Sequence, residues 1–202
     1  MATAPLWKLV AAGTITAAAV VVFVYTLVGA LWYAPQEEAS SPALAAHAPA
    51  IRAPLSSWPS HLRVPSLDIN ANVQHVGVGK TGNMAVPTNF TDAAWYKYGP
   101  LPGEAGSAVI DGHVDNALAL PGVFKRLSEI QKGADIYVDA ATTSVHFKVT
   151  DVESYPAPQV PVGQIFSNTG VPRLVLITCD GVWIQGQNQY DRRLVVYAQL
   201  AQ

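Results

Sequence analysis

SVHFKVTDV, residues 144–152, is the stretch that most clearly indicates the fold. Val145, Phe147 and Val149 alternate with polar residues, which is the period-two pattern of a strand with one buried face. Similar short runs, bounded by turn residues, lie on both sides: HLRVPSLDINANVQHVGV (61–78), GSAVIDG (106–112), RLVLITC (173–179) and RRLVVYAQL (192–200). These runs predict a mainly antiparallel β domain of about 140 residues, closed as a barrel or packed as a sandwich.

One helix is predicted between these strands, in PGVFKRLSEIQKG, residues 121–133. Phe124, Leu127 and Ile130 fall at helical spacing. Pro121 lies near the start of the run, and Gly133 suits a C-cap.

The composition argues against nucleic acid as a partner. The chain has 202 residues, of which 13% are charged, and its formal net charge is −2. Binding to phosphates requires a concentrated basic face, and this chain offers none in its sequence.

The N-terminal run from 9 to 34 contains no charged residue. A helix of about 20 apolar residues crosses a bilayer, so residues 1–34 are predicted to form a short cytoplasmic stub and a single-pass anchor in the cell membrane. Lys8 precedes the run and Glu37 and Glu38 follow it, which favours a cytoplasmic N-terminus and an extracytoplasmic remainder. The alternative is a cleaved signal peptide, whose apolar core is shorter, about 7–15 residues.

Residues 35–60 are predicted to be a linker. They contain five prolines among alanines and serines, a composition that buries little and is stiff. The predicted globular domain is therefore 61–202.

Cys179 is the only cysteine of the chain, which excludes an intramolecular disulfide and zinc sites built on several thiolates. It shares a strand face with Val175 and Ile177, and Asp180-Gly181 after it is typical of a turn. The thiol is thus expected where a strand leaves the core. It is either a small buried core residue or a group kept for its reactivity.

A nucleophilic thiol needs a nearby base or cation. Among five histidines, His113 differs because it follows the apolar run of SAVIDGHVDN, also at a predicted strand end. Its separation from Cys179 in sequence leaves their proximity open, and a surface turn histidine is the alternative.

Arg192 and Arg193 open the last predicted strand. A guanidinium near an acyl-transfer site can hold an oxyanion. Alternation sends the two side chains to opposite faces, so only one of them can face such a site, and the other is expected to be solvated or salt-bridged.

These motifs resemble those of bacterial sortases. Residues 176–179 match the TLxTC signature, with Val175 at the position of the usual first threonine. Residues 112–115 resemble the Gly-His segment of that family, and Arg192-Arg193 before Leu-Val-Val resembles its last catalytic element. AWYKYGPLPGEAGSAVIDGHVD, residues 94–115, is similar in layout to class E and F members. The resemblance covers nearly all of 61–202, and the N-terminal anchor fits it.

The resemblance implies an eight-stranded, closed antiparallel β-barrel with one or two short helices, and cysteine transpeptidase activity. Cys179 would be the nucleophile, His113 the general acid/base and Arg193 the oxyanion partner, with Arg192 as the alternative to Arg193. Thr178 would support the site. No cofactor or metal is implied.

The implied substrates are exported proteins with a C-terminal sorting signal of the LPxTG type. Such a signal would be cut between Thr and Gly through a thioester, and the protein passed to an amine such as a cell-wall precursor or a pilin lysine. Two other functions remain open: a non-catalytic, membrane-tethered β domain acting as scaffold or adhesin, and a cell-wall cysteine hydrolase that cuts without rejoining.

Overall fold

A computed structural model describes residues 19–29, 57–80, 82–116 and 118–201. Within these ranges, eight strands close into one barrel in the order β1-β2-β3-β4-β7-β8-β6-β5. The strands are β1 (His61–Val64), β2 (Ile69–Val76), β3 (Ala93–Tyr96), β4 (Ser107–Gly112), β5 (Asp135–Asp139), β6 (Ser144–Pro156), β7 (Arg173–Ile184) and β8 (Gln189–Leu200).

The barrel is mixed, so the expectation of a purely antiparallel barrel is wrong. The pairs β2–β3 and β4–β7 are parallel, and the other six ladders are antiparallel. Parallel neighbours need a crossover connection. Here the segment between β2 and β3 supplies one crossover, and the path through β5 and β6 supplies the other. Strands β3 and β5 were not anticipated from the sequence.

Both faces of β7 are covered, which explains its continuous apolar run. Leu174 and Leu176 lie in the main core cluster inside the barrel, together with residues such as Ile110 and Val196. Val175, which points the other way, belongs to a second apolar cluster. This second cluster lies on the same face as Cys179.

The helix predicted within 121–133 is not an α-helix. It is a series of turns that ends in a 3-10 helix, Leu127–Glu129. The amide of Leu127 donates to the carbonyl of Phe124, and that of Ile130 to Leu127. Phe124, Leu127 and Ile130 are all buried, and their spacing of three matches the 3.0 residues per turn of a 3-10 helix. A four-residue α-helix, Val162–Ile165, lies between β6 and β7.

Only part of the predicted anchor and linker is described. Residues 19–29 are helical and mostly exposed, while the remainder of 1–34 and residues 35–56 lie outside the described ranges. Among the described helices, none has both the length and the apolar character to span a bilayer. Trp58 makes edge-to-face contacts with His75 at 5.0 Å and with Trp95 at 5.3 Å, so contacts with the barrel begin before residue 61.

An ion pair on the outside of the barrel joins β1 to β5. Arg63 donates from Nε to Asp139 at 2.6 Å and from Nη2 at 3.0 Å. These hydrogen bonds hold the pKa of the Asp139 carboxyl below its usual range. A carboxyl with a lowered folded-state pKa stabilises the fold above its unfolded pKa, about 3.9, and this stabilisation is lost as the pH falls through the folded value.

Replacing Arg63 with glutamine should therefore lower the free energy of unfolding at pH 7 by a small but measurable amount, since an exposed ion pair contributes little. The difference from wild type should shrink below about pH 4. Urea unfolding of both proteins across that pH range measures it, and a difference that persists while Asp139 is protonated would contradict the assignment.

Candidate active site

The parallel pairing of β4 with β7 brings His113 and Cys179 to the same end of two neighbouring strands. Asp111 is in register with Ile177. His113 and Cys179 each lie two residues further along their chain segments. The carboxyl ends of parallel strands lie at the same edge of a sheet, so both residues are at that edge. The proximity that sequence separation left open thus follows from strand register. His113 is buried, with 7% of its surface exposed, and Cys179 is half-buried.

The two strand ends are tied together by Thr178. Its hydroxyl donates to the carbonyl of Gly112 at 2.6 Å, and its side chain is buried. Gly112 is required by close packing, because a Cβ there would lie 2.6 Å from Phe124 Cδ2. The amide of Phe124 in turn donates to the carbonyl of His113 at 2.9 Å. The Gly-His segment is therefore held from both sides.

Arg193 lies on the same sheet face as Cys179. The two residues are directly paired in the antiparallel β7–β8 ladder, and paired residues project to one face with Cβ atoms about 4.5–5.5 Å apart. Arg192 is paired with Asp180 and so projects to the opposite face. There it donates from Nε to Ser154 Oγ at 2.8 Å and from Nη2 to the Ser154 carbonyl at 2.6 Å.

The Arg193 guanidinium is buried and held by two hydrogen bonds, but one of its terminal nitrogens makes no hydrogen bond within the described residues. Its Nη1 donates to the carbonyls of Tyr190 at 3.0 Å and Arg192 at 2.9 Å. Its Nη2 is buried and has no hydrogen-bond partner among the described residues. A buried donor without a partner costs free energy, and an acceptor oxygen brought by a substrate would remove that cost.

The hydrogen bond of His113 to a backbone carbonyl determines the tautomer of its imidazole. Its Nε2 lies 3.0 Å from the carbonyl oxygen of Pro87. A carbonyl can only accept, so Nε2 carries the proton and donates it, and Nδ1 is the nitrogen that can gain or lose a proton in the site.

Past Cys179 the strand continues through a bulge. The sequence predicted a turn at Asp180-Gly181, but β7 runs on to Ile184, with residues 181 and 182 opposite the single residue Asp191. Gly181 has φ +82°, and a Cβ there would lie 2.1 Å from Asp191 Oδ1. This is the left-handed glycine of a G1-type bulge. The turn predicted directly after the cysteine is thus a bulge within a β-hairpin.

A buried apolar cluster lies on the same sheet face as the thiol. The second cluster combines Val109 of β4, Val175 of β7 and Val195 and Tyr197 of β8 with the short helix at Ile165. Partly buried side chains surround it: Met84, Tyr98, Tyr155, Val162, Phe166 and Ile177. Burial is the main cause that raises the pKa of Tyr197, followed by its hydrogen bond with Tyr155, so this phenol stays neutral at physiological pH.

A thiol, an imidazole and a guanidinium at one edge of the barrel suit acyl transfer. The model of the Sortase domain family matches residues 62–201, nearly the whole barrel. The chain belongs to the sortase family. No curated protein matches the chain significantly.

Solved sortase structures share the fold. Sortase A of Listeria monocytogenes has a TM-score of 0.54 and 22% identity over 72% of this chain and 88% of that chain. A lid mutant of sortase A from Corynebacterium diphtheriae has a TM-score of 0.56 and 20% identity, covering 74% of this chain and 71% of that one. Sortase C-1 of Actinomyces oris has a TM-score of 0.52 and 20% identity over 70% and 72% of the two chains. The chain is accordingly a sortase-type cysteine transpeptidase by family.

Sequence reasoning missed two parts of this candidate site. The Pro87 carbonyl bonded by His113 belongs to the backbone of an irregular segment and carries no side-chain signal. The hydrogen bond from Tyr190 Oη to Asp115 at 2.7 Å, which joins the hairpin to the histidine segment, links residues that are distant in sequence. Among the described residues, no group of three or more His, Cys, Asp and Glu side chains is arranged to hold a metal ion.

Proposed function

We propose that this sortase is anchored in the cell membrane by residues 1–34 and acts on its extracytoplasmic side. It cuts LPxTG-type sorting signals between Thr and Gly, and transfers the exported protein to an amine such as a cell-wall precursor or a pilin lysine. The pairing of Cys179 with Arg193, beside the strand end that carries His113, is the observation that carries the proposal. The layout of residues 94–115 favours a class E or F member.

In the first half-reaction, the Cys179 thiolate attacks the carbonyl carbon of the scissile bond. Its proton is held on Nδ1 of His113, because Nε2 already donates to Pro87. The oxyanion accepts a hydrogen bond from Arg193 Nη2. When the C–N bond breaks, the Nδ1 proton passes to the departing glycine amine, and a thioester remains on Cys179.

In the second half-reaction, an amine attacks the thioester carbon and forms an amide. Its proton moves to Nδ1 of His113, and the Cys179 thiolate is expelled. Arg193 again holds the oxyanion. Water can replace the amine and give a free carboxylic acid, so the fate of the thioester separates a transpeptidase from a hydrolase.

Partly exposed apolar side chains next to the candidate site support an extended peptide as substrate. Ile177 and Phe166, which are only partly buried, pack against the cluster on the face that bears Cys179, and apolar side chains of a sorting signal would be buried against them. A membrane anchor would keep the enzyme near exported substrates and lipid-linked amines, raising their effective concentration.

Partition between two products tests this function. The full chain in detergent, incubated with an LPxTG-type peptide and rising triglycine, should yield increasing amide at the expense of free acid. Mass spectrometry quantifies both products. Free acid alone at saturating amine would identify a hydrolase. No turnover, together with a thiol inert to iodoacetamide in the folded protein, would favour the scaffold alternative.

A further inference from the structure

The carbonyl that orients His113 is itself held by a side chain on another strand. The acceptor of the His113 Nε2 proton is the Pro87 oxygen, in the segment that connects β2 to β3. The next residue, Thr88, donates from its backbone nitrogen and from its hydroxyl to Gln74 Oε1, each at 3.1 Å. Gln74 is part of strand β2.

The Pro87 carbonyl and the Thr88 amide belong to one planar peptide unit. In a trans peptide these two groups point in opposite directions from the same plane, and none of the peptide bonds described is cis. His113 thus bonds one end of this plane and Gln74 the other. Fixing the Thr88 amide therefore fixes the direction of the carbonyl that receives the imidazole proton.

Gln74 is suited to this task because both ends of its amide are engaged. Its Nε2 donates to Asp92 Oδ2 at 2.9 Å, and Asn89 Nδ2 donates to the same oxygen at 2.9 Å. The Thr88 amide can only donate and the carboxylate can only accept, so the orientation of the Gln74 amide is determined. Parallel pairing of Val73 with Ala93 gives this network a rigid base.

We propose that Gln74 is a positioning residue for His113. By orienting the peptide unit between Pro87 and Thr88, it keeps the neutral imidazole protonated at Nε2 and Nδ1 open for the proton of the reaction. The effect on catalysis rests on the proposed role of His113 as general acid/base, whereas the effect on the tautomer does not.

The direct test is the tautomer of His113 in the full chain, labelled with 15N-histidine and purified in detergent. The protein carries Cys179→Ser, so that no chemistry takes part, and its neutral His113 should show a protonated Nε2 and an unprotonated Nδ1. Gln74→Met keeps the length of the side chain but removes both polar atoms, and it should produce a mixture of tautomers. A Gln74→Met spectrum identical to that of the parent would overturn the proposal.

In the protein with Cys179 intact, Gln74→Met should lower kcat for an LPxTG-type peptide by about tenfold, because general acid–base catalysis contributes about 10²–10⁴-fold. KM should stay within about twofold, because Gln74 is not among the apolar side chains proposed to bind the peptide. A rise in KM with unchanged kcat would contradict a positioning role. An unchanged kcat would show that Gln74 does not position His113, and it would not contradict the proposed transpeptidase activity.

Two further comparisons guard against a simple loss of folding. Thr88→Val removes one of the two donors to Gln74 and should lower kcat part of the way. Thr88→Ser keeps the hydroxyl and should have the kcat of the parent protein. Asn72→Ala is the matched control, because Asn72 contacts the same Asp92 at 3.5 Å but not Thr88. An Asn72→Ala effect equal to that of Gln74→Met would assign the result to general loosening of the segment and overturn the proposal.

Discussion

Cys179→Ala is expected to lower peptide cleavage by at least about 10⁴-fold, since removal of a nucleophile leaves only binding and oxyanion stabilisation. The barrel should remain folded, because the thiol is only half-buried and lies at the end of the core part of β7. Cleavage is measured with a quenched fluorescent LPxTG-type peptide, and folding by thermal unfolding.

His113→Ala is the companion variant for Cys179→Ala. It should also suppress cleavage, but it keeps the thiol, and it should change the rate at which iodoacetamide alkylates Cys179. Substantial cleavage by Cys179→Ala would remove the thioester from the mechanism. An alkylation rate unaffected by His113→Ala would remove the partnership between imidazole and thiol.

Arg193→Met is expected to lower kcat by about 10²–10³-fold, the cost of removing one oxyanion donor. The reason is geometric: Arg193 is paired with Cys179 across the β7–β8 ladder, and its buried Nη2 has no partner among the described residues. Arg193→Lys should recover little, because an ammonium lacks the planar fork of donors. Steady-state kinetics with the same peptide provide the measurement.

Arg192→Met is the matched control for Arg193. Its guanidinium is engaged by Ser154 on the opposite face of the sheet, so its loss should affect stability more than kcat. If Arg192→Met reduced kcat as much as Arg193→Met, the assignment of the oxyanion role by strand register would be wrong.

The strands were predictable where an alternating pattern or a continuous apolar run is long. Alternation in 144–152 marked β6, and the apolar runs marked β4 and β7. Strands β3 and β5 were missed because they are short, with four and five residues, so that neither an apolar run nor an alternation stands out in the sequence. The sequence does not distinguish a 3-10 helix from an α-helix at Phe124, Leu127 and Ile130. Over so short a run, a spacing of three fits both the 3.0 and the 3.6 residues per turn of these helices.

The candidate site was predictable as a set of residues but not as a geometry. Cys179, His113 and the arginine pair were identified from chemistry and from the family resemblance, whereas their juxtaposition depends on a parallel β4–β7 pairing that local sequence does not encode. The choice between the arginines required the register of β7 against β8. Pro87 and Gln74 could not be found, because a backbone acceptor and an amide network at long range leave no motif.

The most direct test of the central claim is to trap the acyl-enzyme. The full chain is incubated with an LPxTG-type peptide without an added amine, quenched in acid, and analysed by intact-mass and peptide-mapping mass spectrometry. The mechanism predicts an adduct with the mass of the peptide up to its threonine, attached to Cys179 and released by hydroxylamine. Turnover of the peptide without such an adduct, or an adduct on any residue other than Cys179, would contradict it.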